Sequence, residues 1–473
     1  MNTTLRTALV LALTNVWGPV DGARLPATVQ GSPFADVHDF RSLSESATVH
    51  RVAQPSRDDA AHEKRSPQTL SVTSCADDGS AGTLRSVVAG AASGDTIDLG
   101  GLTCSTITLL SGAIPITQYG LGIAGSQAHH ITIDGGGRDR VFNGVSAGGT
   151  LILSDLTITN GKYTAPSSGV AFGGCIYMTG SVSLENASVT NCSAIGTVAA
   201  QGGGVYATFA VAALYSTFSG NIVSASGSPG LGFGGAIRTK SLLLVQSTLD
   251  SNDASAASYG YGGGAFATTG EIANSTISNN RGIYGGGLAL LMGSGSGFDF
   301  ALVDSTVSGN LATKMVGGVM AIGDIKVENT TIAFNTETYS QLAGGLYINS
   351  GTLSLYSSIL SNNTTASGAS QLDIGGSGQN INGSHNLVNV SSVALPGDTL
   401  TGHYALLEPL ADNGGLTKSH LLQPGSPAID TGANPYLLRY DQRGAGYPRT
   451  IGSNTDMGAI EFSDRIFGDG FDT

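Results

Sequence analysis

Between residues 217 and 362 the chain writes one phrase six times: Thr217-Phe218-x-x-Asn221, Thr248-Leu249-x-x-Asn252, Thr276-Ile277-x-x-Asn280, Thr306-Val307-x-x-Asn310, Thr331-Ile332-x-x-Asn335 and Ser358-Ile359-x-x-Asn362. The asparagines stand 31, 28, 30, 25 and 27 residues apart. Two earlier copies, Thr157-Ile158 and Ser188-Val189, keep the register but place Gly161 and Cys192 at the asparagine position. Gly-Gly pairs ending at Gly174, Gly204, Gly235, Gly264, Gly287, Gly318 and Gly345 run in phase. A period of this length, rich in β-branched residues and without a leucine-rich or helical pattern, selects stacked parallel β-coils. The expected class is all-β: a right-handed parallel β-helix with three-sided coils of 25–31 residues.

Stacking makes columns, because equivalent residues of successive coils lie about 4.8 Å apart. Phe218, Leu249, Ile277, Val307, Ile332 and Ile359 are expected to point inward, with Thr217, Thr248, Thr276 and Thr306 on the opposite face. Asn221, Asn252, Asn280, Asn310, Asn335 and Asn362 are expected to form a structural ladder at the turns. There they would take left-handed backbone angles and bond the next coil's amide. The glycine pairs supply turns that a Cβ would obstruct.

The ends differ from this middle. Arg6 followed by an apolar run from Thr7 to Val16 reads as a secretory signal, too short to span a bilayer, with processing near Ala23. Residues 24–68 mix charges, prolines and histidines without periodicity and read as a spacer or propeptide. The region 69–155 holds a cap and the first coils. In it Thr83 is placed to cap a short helix with Leu84, Val87, Val88 and Ala91 on one face, covering the open end of the stack. The repeat coils are assigned to 156–365, further coils and a closing segment to 366–463, and a short tail, a candidate sorting signal, to 464–473. Cys75, Cys104, Cys175 and Cys192 make an even number without zinc-type spacing, which predicts two disulfides in an oxidising compartment. Cys75 with Cys104 and Cys175 with Cys192 are the pairs closest in sequence, and other connectivities stay open.

A net charge of −13, from 21 basic and 34 acidic residues, argues against nucleic acid or an anionic membrane as partner. The expected partner is a carbohydrate or protein at a cell surface, with no transmembrane domain in the chain; the sequence sets no oligomeric state.

Two resemblances bear on the fold. Gly-Gly-Ala-Ile at 234–237 and Phe-Ser-Gly-Asn at 218–221 resemble the paired motifs of polymorphic outer-membrane protein repeats. Gly82-Thr-Leu-Arg-Ser-Val with Gly94-Asp-Thr-Ile looks like the start of bacterial surface β-helices with a pectin-lyase-like fold. Pro424-Gly-Ser-Pro-Ala-Ile-Asp-Thr-Gly432, Asp441-Gln-Arg-Gly444 and Asp456-Met-Gly-Ala-Ile-Glu461 look like the closing segment of the choice-of-anchor family. About ten residues follow Phe462, which is no room for the barrel that ends polymorphic outer-membrane proteins. Their end, Asp464-Arg-Ile-Phe-Gly-Asp-Gly-Phe-Asp-Thr473, resembles the Phe-x-Asp-Gly-Phe endings of some exported Gram-negative proteins. The resemblances imply a protein that is secreted or held on the outer surface of a Gram-negative-type cell.

Chemistry is harder to find. A glycoside hydrolase needs converging carboxylates, and Asp250, Asp304 and Asp324 are the candidates within the repeats, in different alignment columns. A lyase needs a base and a cation near a uronate, yet Arg238, Lys240, Arg281, Lys314 and Lys326 are scattered. No cofactor is required. Calcium is the one candidate ion, at Asp77-Asp78-Gly79 or Gly468-Asp-Gly, neither with the spacing of a dedicated loop. The segments between each asparagine and the next Gly-Gly read as loops on one edge. They carry Tyr163, Phe172, Phe233, Tyr259, Tyr261 and Tyr284, an aromatic set suited to sugar rings or a protein partner. The expectation is a non-enzymatic adhesion or binding protein, with a polysaccharide lyase or glycoside hydrolase and a structural matrix protein as the alternatives.

Overall fold

A computed structural model describes residues 66–463, apart from 147, 168, 292–299, 366–369 and 378–379. The expected signal, the tail and all but residues 66–68 of the expected spacer lie outside the described residues. Short strands recur coil by coil and pair in parallel along the stack, giving, among the described residues, two sheets of 12 strands and one of 10. In one coil, Ile237–Arg238 belongs to the 10-stranded sheet, Ser241–Val245 to the first 12-stranded sheet and Thr248–Asp250 to the second. We call these sheets 3, 1 and 2. Their inward side chains build one continuous core, which includes Phe142, Ile176, Leu184, Phe218, Leu249, Ile277, Val307, Ile332 and Leu360. The chain is a right-handed parallel β-helix.

The helix α1, Leu84–Gly90, closes the first coil. The Thr83 hydroxyl caps it by accepting from the Ser86 amide, and Leu84 and Val88 are buried. Asp77 anchors this cap. Its carboxylate accepts from Arg85 Nε and Nη2 and from the amides of Leu110 and Ser111. These partners tie the buried Asp77 carboxylate into the cap. Cys75 pairs with Cys104 in the cap and Cys175 with Cys192 in the first repeats.

The turn after sheet 2 carries the asparagine ladder, with two changes from the expected geometry. Asn252 Oδ1 accepts from the Asn221 amide at 3.0 Å and from Asn221 Nδ2 at 2.9 Å, while Asn252 Nδ2 donates to Phe218 O at 3.0 Å. Each Oδ1 therefore accepts the amide of the preceding coil, not of the next, while Nδ2 reaches both a preceding carbonyl and the next asparagine's Oδ1, as Asn252 Nδ2 does to Asn280 at 2.9 Å. The left-handed position belongs to the residue before it: Gly220, Ser251, Asn279, Gly309 and Phe334 have φ between 56° and 68°. The last copy is also shifted by one. Thr331 pairs with Ile359 and Ile332 with Leu360, so Leu360 points inward and Asn363, not Asn362, accepts from Asn335. Asn362 occupies the left-handed corner, with φ 62°. Two adjacent asparagines fit either register by pattern, and the inward leucine decides between them.

A second ladder lies one turn earlier. The amides of Ser216, Ser247 and Ser275 donate to the hydroxyls of Ser247, Ser275 and Ser305, at 3.0–3.1 Å. Both ladders satisfy turn amides that parallel pairing leaves without a partner.

The segments after the asparagine turn are more ordered than loops. They form a nine-stranded sheet 4, including Ile222–Ala225, and a four-stranded sheet 5 of Val170–Phe172, Ala199–Gln201, Leu231–Phe233 and Tyr259–Tyr261. A thin layer of Ala171, Ala194, Ala200, Val223, Ala225 and Ala254 joins them. The small side chains let the two sheets approach closely.

From residue 403 to 462 the chain leaves the coils and lies on the outer face of sheet 2. Thr276 Oγ1 donates to Lys418 O, Thr306 Oγ1 to Gln442 Oε1, and the Ala459 amide to Thr331 Oγ1. The later part of the expected hydroxyl column, Thr276 and Thr306, continued by Thr331, is thus the docking rail for this closing segment, while Thr217 and Thr248 stay half-buried.

Candidate binding surface

Two columns of outward side chains meet along one edge of the stack. On sheet 3, parallel register aligns Asn143, Tyr177, Tyr206, Arg238 and Phe266 on successive coils. On sheet 5 it aligns Phe172, Gln201, Phe233 and Tyr261, and a bridge continues the row to Tyr284. Alternation decides their direction: Ala171 and Ala200 turn into the thin layer, so their neighbours in sequence face the other way, onto sheet 3.

Of the six aromatic residues expected to bind, the structure separates two kinds. Phe233, Tyr261 and Tyr284 are buried and stacked, with Tyr261 between Phe233 at 5.4 Å and Tyr284 at 5.0 Å. Phe266 meets Phe233 edge-on at 5.1 Å, and Tyr259 stacks on Tyr284 at 6.1 Å. Burial holds the Tyr261 and Tyr284 hydroxyls above their usual range of ionisation. Phe172, Tyr163 and Tyr259 are half-buried. Phe172 packs edge-on against Tyr206 at 4.8 Å, and Tyr206 stacks on Tyr177 at 5.7 Å, with all three rings partly exposed. This trio makes a shelf on the earlier coils.

Tyr177 and Tyr206 were not legible as edge residues, since they sit on a main sheet and not in the inter-repeat segments. The signal is the alternation after each glycine pair, as in Ile176-Tyr177 and Val205-Tyr206, where an inward aliphatic precedes an outward ring.

Two arginines border the shelf. Arg140 Cζ lies 3.3 Å from the Tyr163 ring centroid and 5.2 Å from that of Tyr177, and its Nε donates to Phe172 O and Gly173 O. Arg238 Cζ lies 4.8 Å over Phe266, and its Nη1 donates to Thr239 O. Burial holds both guanidiniums below their usual range.

The carboxylates considered for hydrolysis do not converge. Asp250 accepts from Ser278, Asn279 and Ser251 on sheet 2, Asp324 accepts from the Thr352 amide, and Asp304 meets Arg449 at 3.1 Å under the closing segment. Among the described residues, no group of three or more His, Cys, Asp or Glu is placed to hold a metal ion.

No protein-family model and no curated protein matches the chain. Among solved structures it is similar to a crystal structure of pectate lyase Pel9A, at 14% identity and a TM-score of 0.45, over 84% of this chain and 96% of that one.

Proposed function

We propose that this chain is an exported, non-enzymatic β-helix protein of the choice-of-anchor type, with polymorphic outer-membrane protein-like repeats, that binds carbohydrate along the edge between sheets 3 and 5. The observation that carries the reading is the shelf of Phe172, Tyr177 and Tyr206, three adjoining rings held by sheet register with their faces partly open. Such rings present apolar faces to the C–H faces of sugars and polar tips to water. Two disulfides fit an extracellular setting. Among the described residues no helix is long and apolar enough to cross a membrane.

The test is a panel of neutral and acidic oligosaccharides, with and without calcium, read for both binding and product release. The expected result is binding without turnover, weakened at least about tenfold when Tyr177 and Tyr206 are both replaced by Ala, as loss of more than about 1.4 kcal/mol requires. Turnover that disappears on a single carboxylate or basic substitution would replace this reading with a lyase or hydrolase.

A further inference from the structure

Among the described residues, the arginines withdrawn from solvent fall into two groups. Arg85 pairs with Asp77 at 2.8 Å, Arg443 with Asp441 at 2.6 Å, and Arg449 with Asp304 and Glu461 at 3.1 and 2.7 Å. Arg140 and Arg238 are each only 8% exposed, yet no carboxylate lies within ion-pair distance of either among the described residues. A guanidinium removed from water without a counter-ion costs several kcal/mol, and acids outnumber bases 34 to 21 in this chain. Asp139, next to Arg140, has its carboxylate turned to the amides of Ala113 and Arg140.

Arg238 has one donor bonded, Nη1 to Thr239 O. Its side chain keeps a small exposed fraction at this face. Arg140 reaches the ring of Tyr177, which lies two coils before Arg238 in the same column. The two cations thus stand roughly 10–14 Å apart at one strand spacing per coil, on either side of the ring shelf.

We infer that this face of sheet 3 takes an acidic polysaccharide: its negatively charged groups pair with Arg140 and Arg238, and the sugar ring between them lies on Tyr177, Tyr206 and Phe172. A guanidinium fork matches a carboxylate through two parallel N–H···O bonds, and the ligand's charge replaces the counter-ion that the fold omits. An acidic peptide would satisfy the arginines but leave the rings without their matching surface, so the saccharide is favoured. The inference rests on the carbohydrate reading above and narrows it to a charge class.

The experiment measures binding of the full chain to a uronate hexasaccharide, to the same hexasaccharide with its carboxyls reduced to alcohols, to a sulfated hexasaccharide and to poly-glutamate. Arg238→Met and Arg140→Met are compared with the parent. Expected is binding to the charged saccharides, at least tenfold weaker for the reduced one and for either variant, with affinity falling as salt rises. The uronate and sulfated arms show which anion is preferred. Arg238→Met is expected to keep or raise the melting temperature, because it removes an uncompensated charge; a purely structural arginine would lower it. Equal binding of the reduced hexasaccharide, or binding unaffected by both variants, overturns the acidic inference while leaving carbohydrate binding intact. Preference for poly-glutamate, or no binding to any saccharide, overturns both.

Discussion

Asparagine 280 shows how one residue type keeps the solenoid in register. Its Oδ1 takes the Asn252 amide and Asn252 Nδ2, and its own Nδ2 serves Leu249 O and Asn310 Oδ1, all fully buried. Removing that side chain leaves several buried groups without partners, each costing about 1–3 kcal/mol. Asn280→Ala is therefore expected to lower stability by about 3 kcal/mol or more, read by chemical denaturation. The paired asparagines allow a sharper comparison: Asn363→Ala is expected to cost more than about 2 kcal/mol and Asn362→Ala less than about 1. Equal effects would argue against the register given for the last repeat. At the exposed left-handed corner, Ser251 has φ 57°, and Ser251→Gly is expected to be neutral or stabilising, by up to about 1 kcal/mol.

The closing segment is the element whose role was least visible beforehand. The residues that resembled a family motif prove to be its buried charges: Asp441 with Arg443, and Arg449 between Asp304 of the coils and Glu461. Asp456 lies beside them and accepts from the amides of Asp430 and Phe462. On the adjacent coils Lys326 meets Glu328 at 2.8 Å and lies over the Tyr436 ring, with Glu271 buried nearby. Asp304, Asp441, Asp456 and Glu461 thus gather around two arginines, Arg443 and Arg449. Burial pushes Glu461 up to about 8 and raises Asp304, Glu328 and Asp456, against the pull of Arg449 and Lys326.

Because Glu461 binds its proton more tightly folded than unfolded, its contribution is complete below pH 4.5, its ordinary value, and is lost as pH rises toward about 8. The melting temperature is expected to fall across this window, and Glu461→Gln to flatten the fall; a rise with pH would contradict the assignment. Removing Arg449 leaves carboxylates buried without their cation, and Arg449→Leu is expected to cost about 3–5 kcal/mol in thermal or denaturant unfolding.

At the scale of the whole molecule, the period was legible because every coil meets the same neighbours and so repeats the same residues. Strand spacing, the inward column and the cap helix follow from that repetition together with the Thr83 cap. What lay beyond it were contacts without a period. Thr276 and Thr306 read only as a hydroxyl column, because the partners that bury them, Lys418 and Gln442, stand more than a hundred residues away. Likewise, the edge aromatics are visible by position, but which rings lie open depends on their neighbours across the coils: Phe233 and Tyr261 share the column of Phe172 yet are buried against Phe266 and Tyr284.

Solenoid stability adds up from neighbouring coils, so deleting residues 403–463 is expected to loosen the coils it covers, from Gln246 to Leu387, while those before Tyr206 keep their protection in hydrogen exchange. Uniform loosening would mean that the segment supports the whole stack.

The binding claim is tested most directly by hydroxyl-radical footprinting of the full chain, free and saturated with its best oligosaccharide. Protection is expected at Phe172, Tyr177 and Tyr206, with Tyr339, 79% exposed, and Tyr404, 50% exposed, oxidised equally in both states. Protection confined to Tyr339 or Tyr404, with the shelf unchanged, would contradict the account.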